Sequence, residues 1–131
     1  MSLDVRTALL ERAEAGPVDD ADFVACVRDS LPYASWTVVS AVAADLKRAG
    51  GEFADHAVPP RGEAERGQLL RALASDAIRG ALERHFGVKL AFQNCHRVAA
   101  FDPAAVDGAG YRAFVSPRGQ LLNQSPELRN C

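Results

Sequence analysis

Cysteine is scarce in this chain: only Cys26, Cys95 and Cys131 occur, and an odd number cannot pair fully within one molecule. Asp4 and Arg6 fall where the apolar stretch of a signal peptide would begin, so no secretory leader is expected. Free thiols in a reducing compartment, and hence a cytoplasmic location, follow as the expectation. Long apolar runs are also missing. The longest, around Val38 to Ala44, falls far short of the roughly 20 residues needed to span a bilayer. Lysine is nearly absent, with two against thirteen arginines. That bias reads as the codon usage of a GC-rich genome and does not by itself indicate phosphate or carboxylate recognition.

The motifs of common cofactor chemistry are lacking as well. Gly62 and Gly67 have the glycine spacing of a phosphate loop, but Gln68 and Leu69 follow where Lys and Ser or Thr are required. Gly108-Ala109-Gly110 precedes an expected strand rather than a helix, which argues against a dinucleotide fingerprint. His56, His85, Cys95, His96 and Cys131 form no C-x-x-C, H-x-x-x-H or H-E-x-x-H pair. No metal and no cofactor is therefore expected. Glu63 and Glu65 suit the start of a helix, and Asp102 and Asp107 suit turns. No carboxylate pair is set out for acid–base work.

What is present is the material of a folded domain. At 131 residues, 48% hydrophobic and 24% charged, the chain has the usual size and composition of one compact domain covering residues 1–131. Helical periodicity predicts helices over about 3–15, 20–30, 36–49 and 63–86. Gly16-Pro17, Leu31-Pro32, Gly50-Gly51 and Gly87 stop them in turn. The third, with Trp36, Val38, Val39, Val42, Ala43 and Leu46, is apolar on nearly every side, which marks a central core helix. Pro59-Pro60 makes 51–62 a loop. The period then changes to two, and strands are predicted over about 88–93, 97–101, 111–115 and 120–123. Ser116-Pro117-Arg118-Gly119 reads as a β-turn between the last two. Helices followed by a small antiparallel sheet of three to four strands make the fold class α+β.

Gln93-Asn94-Cys95-His96-Arg97 concentrates polar side chains between two apolar strand segments. A hairpin tip of that kind is a natural polar binding site. Gln93, Asn94, His96 and Arg97, with Arg118 added from the later turn, are the candidate ligand-binding residues. An alternative makes Cys95 a thiol nucleophile with His96 or His85 as base. It requires a bent backbone, because adjacent strand residues point to opposite faces, and no third orienting group stands at a recognisable spacing. Cys26, on the apolar face of the second helix, reads as a small core residue.

The net charge of −2 hides an asymmetry: residues 1–58 carry ten acids and five bases, residues 59–131 seven acids and ten bases. Such polarity makes a homo-oligomer conceivable. Three short helices and a hairpin also suggest a nucleic-acid-binding winged helix. Its recognition helix would be 36–49, which is poor in basic residues and lies in the acidic half, so nucleic acid is not the expected partner. The leading expectation is a small non-enzymatic binding or regulatory module that meets a protein or small-molecule ligand through its strand-bearing half, with no membrane contact.

Overall fold

A computed structural model describes residues 2–93 and 97–122. Among these residues seven α-helices, a π-helix, a 3-10 turn and a three-stranded antiparallel sheet follow the order α1 (Thr7–Ala15), α2 (Asp20–Ser30), the π-helix (Tyr33–Ser40), α3 (Ala41–Ala49), β1 (Phe53–His56), α4 (Glu63–Leu73), α5 (Asp76–Phe86), β2 (Lys89–Gln93), β3 (Arg97–Phe101), the 3-10 turn (Pro103–Ala105), α6 (Ala109–Phe114) and α7 (Pro117–Leu122). The fold class is α+β, as the periodicities predict. Among the described residues no helix is long and apolar enough to cross a membrane.

The expected core helix begins three residues early, at Tyr33, and its first two turns widen to π-helical form. Gln68 of α4 explains that start: its Oε1 accepts from the backbone N–H groups of Tyr33 (2.8 Å) and Ala34 (3.2 Å), which have no partner inside the helix. Buried Ser35 donates its hydroxyl to the Leu31 carbonyl at 2.7 Å, so no polar atom is stranded there. Val38, Val39, Val42, Ala43 and Leu46 then join Leu69, Ala72, Leu73, Ile78 and Leu82 in the main core. Cys26 is buried.

Several expected elements change. The first helix begins at Thr7, because Asp4 is tied to α2: its N–H donates to Ser30 Oγ, and its carbonyl accepts from Cys26 Sγ. The long fourth helix breaks in two at Ser75, whose Oγ accepts from the Ile78 N–H as the N-cap of α5. Within the expected loop 51–62 lies β1, four residues long, which exists through pairing with β3. The expected strand 111–115 is instead α6, with Tyr111 and Phe114 three apart on one helical face. The expected strand 120–123 falls in α7 as far as Leu122. Ser116 is not a turn residue there but a cap, its Oγ accepting from the Gly119 N–H at 2.9 Å, and Pro117 takes the first helical position. Gly108 thus opens a helix, not a strand. The dinucleotide reading still fails, since six-residue α6 leads into α7 and not into a parallel strand.

The sheet order is β1-β3-β2, with Phe53 opposite Phe101, and Lys89 also opposite Phe101, from the other side. Alternation therefore divides the sheet cleanly. Ala54, Leu90, Phe92, Val98 and Ala100 face the main core. Phe53, Asp55, Ala91, Gln93, Arg97, Ala99 and Phe101 share the other face, where Ala91, Ala99, Phe101 and Phe114 form a second, smaller core with Tyr111 against it.

Candidate functional site

The second face of the sheet carries the described part of the expected polar patch. Gln93 and Arg97 are register partners at the end of the β2–β3 pair. Asp55 pairs with Ala99, two residues along from Arg97, so it is Arg97's diagonal neighbour. Arg97 Nε lies 2.9 Å from Asp55 Oδ2, its Nη1 is 3.5 Å from Gln93 Oε1, and its guanidinium sits 5.4 Å above the centre of the Phe114 ring. Three strands thus contribute one polar row, and α6 lays an aromatic ring across it. Because both ion-pair partners are partly exposed, the pair contributes at most about 1 kcal/mol to stability. Its larger effect is to keep the guanidinium over the Phe114 ring.

Gln93 is only 3% exposed. Its Nε2 donates to the carbonyl oxygen of Phe114, one of the last carbonyls of α6 that the helix itself leaves without a partner. Gln93 thereby fastens α6 to the sheet. Arg118 stands on α7, exposed, and is not part of the polar row. Asn94 and His96, and with them Cys95, lie outside the described residues. His85, the other suggested base, is exposed at the end of α5, its ring 4.7 Å from that of Phe86 and 6.0 Å from that of Trp36.

Around the polar row runs a groove of about 310 Å³, with Gln93 and Arg97 at one end and Phe53, Phe101, Phe114 and Leu122 along its apolar walls. Phe101 anchors it, its ring centre 5.3 Å from Phe53, 5.1 Å from Tyr111 and 5.7 Å from Phe114. Phe53 and Leu122 are 45% and 66% exposed. The far wall is held by Gly119, where a Cβ would collide with the Ala113 carbonyl oxygen. Sequence reasoning missed this groove because it placed Phe53 in a loop and 111–123 in strands. The three-residue spacing of Tyr111 and Phe114, and the Ser-Pro pair at 116–117, were the available signals. Among the described residues no three His, Cys, Asp or Glu side chains are grouped to hold a metal.

A family model that carries the label KH and is described as the NucS shadow ORF matches residues 1–131, the whole of the chain. The chain belongs to the NucS shadow ORF family. That description names a reading frame and states no activity. Neither a curated protein nor a solved structure gives a match.

Proposed function

We propose that this member of the NucS shadow ORF family is a small non-enzymatic binding module whose ligand is an apolar side chain of a partner protein, seated in the groove on the second face of the sheet. The observation that carries this reading is the division of labour in the groove. Gln93, Asp55 and Arg97 are engaged with one another and with Phe114, so they shape the groove. Phe53 and Leu122 leave their apolar surface open in the same walls. Covering such surface is favourable by roughly 25 cal/mol per Å².

The KH label invites a nucleic-acid reading, because KH modules clamp a nucleotide backbone with a G-x-x-G loop. This chain has no G-x-x-G anywhere, and Ala74-Ser75 joins α4 to α5. The helix at 36–49, which a winged helix would present to DNA, buries Val38, Val39, Val42, Ala43 and Leu46 instead. Those observations favour the protein-ligand reading.

The test is an NMR titration with N-acetyl-L-leucine amide, a blocked single residue. Burying one leucine contributes about 1.5–3 kcal/mol, so binding at millimolar concentration or weaker is expected. Amide shifts should concentrate at Phe53, Arg97, Phe114 and Leu122 and disappear in Phe53→Ser. Shifts spread evenly over the surface, or unchanged by Phe53→Ser, would rule the groove out.

A further inference from the structure

A second cleft lies on the opposite side of the fold, where the start of the π-helix meets the end of β1 and the first turn of α4. Tyr33, Thr37, His56, Val58, Arg61 and Glu65 line it, and its volume is about 480 Å³, within the range of small-molecule sites. The loop after Pro59-Pro60 is fixed there by Glu65, whose Oε1 accepts from the backbone N–H of Arg61 at 2.9 Å. That bond holds the two residues side by side. Yet among the described residues no ion pair joins their side chains, and none engages the Arg61 guanidinium.

Both charges nevertheless reach the same phenol. Tyr33 is held above the usual phenol range, first by burial and then by the Glu65 carboxylate, with the Arg61 guanidinium acting in the opposite sense. The wall contains one more unusual group. His56 Nε2 is buried and finds no hydrogen-bond partner among the described residues, a condition rare enough in folded chains to need a reason. A cleft with a fixed carboxylate, an unengaged guanidinium, two hydroxyls and an apolar rim at Val58 presents opposite charges that do not neutralise each other.

We propose that this cleft binds a small zwitterion, a free amino acid with an aliphatic side chain. Glu65 receives its ammonium group, Arg61 its carboxylate, and Val58 its side chain. A carboxylate alone or an amine alone would leave one wall charge facing the wrong partner. The zwitterion satisfies both, which is how charge complementarity yields specificity.

The experiment compares L-leucine, N-acetyl-L-leucine and L-leucinamide by NMR titration of the full chain. L-Leucine should shift the amides of Tyr33, Thr37, Arg61 and Glu65 and saturate. Each derivative lacks one charge and should bind at least about tenfold more weakly, the equivalent of about 1.4 kcal/mol. Glu65→Gln keeps an acceptor for the Arg61 N–H and should erase the preference for L-leucine over its N-acetyl form. Arg61→Gln should erase the preference over leucinamide. The proposal is overturned if the three compounds bind alike, if L-leucine leaves the cleft signals unmoved, or if either folded variant keeps the preference it should lose. The doubly blocked leucine used for the groove carries neither charge, so the two sites fail or succeed independently.

Discussion

Replacing Gln93 by leucine is the sharpest probe of how the groove is built. The side chain is 3% exposed and donates to the Phe114 carbonyl, while its own carbonyl lies 3.5 Å from Arg97 Nη1. Gln93→Leu fills nearly the same space but removes the donor, so the Phe114 oxygen, on a residue that is itself buried, loses its partner. An unsatisfied buried acceptor costs about 1–3 kcal/mol. The more apolar leucine offsets part of that, leaving a net loss of about 1–2 kcal/mol. For a chain of this size that loss corresponds to a fall in Tm of roughly 3–10 °C. Urea denaturation followed by circular dichroism gives the free energy, and hydrogen exchange at 109–114 locates it. Gln93→Leu should accelerate exchange in α6 well beyond its effect on α4 and α5. Stability within about 0.5 kcal/mol of the parent, which is the spread of neutral surface changes, would refute the role assigned to Gln93, and so would uniform exchange.

Other expectations follow from single contacts. Gly119→Ala places a methyl group against the Ala113 carbonyl oxygen and should cost about 1–3 kcal/mol, read as loss of hydrogen-exchange protection in 117–122 with the main core unaffected. Ser75→Ala removes the cap of α5 and should lower stability by about 1 kcal/mol in urea melts, whereas Ser75→Asp should restore it. Asp20 accepts two hydrogen bonds from Arg84, at 2.6 and 2.9 Å, and that guanidinium holds its carboxyl below the usual range. A depressed folded pKa gives stability that is present above the unfolded value and lost as pH falls through the folded one. Asp20→Asn should therefore lower Tm slightly at neutral pH, and the difference should vanish on acidification below the carboxylate range; a gap that persists there would place its cause elsewhere.

The helical half was legible because its signals are local. Gly16-Pro17, Leu31-Pro32, Gly50-Gly51 and Gly87 punctuate it, and the all-apolar stretch from Trp36 identifies the core helix. The split at Ser75 was also local, since Ser75-Asp76 is a cap sequence, but the unbroken leucine and alanine stripe masked it. The strand β1 was not legible: Phe53 to His56 is too short to show a period, and its partner β3 stands more than forty residues away. For 111–122, aromatic and β-branched residues suggested strand, while the capping chemistry of Ser116 and the Tyr111–Phe114 pair decided for helix. Polar character drew attention to Gln93 and Arg97, which the fold sets side by side as register partners. Polarity alone could not distinguish a side chain that meets a ligand from one that fastens a helix, because that depends on the Phe114 carbonyl arriving from 21 residues away.

The most direct test of the groove is an isotope-filtered NOE experiment on the labelled chain with N-acetyl-L-leucine amide. Contacts from the leucine methyls to the rings of Phe53, Phe101 and Phe114 are predicted. Contacts confined to the exposed apolar residues of α1, or to Tyr33 and Val58, would contradict it.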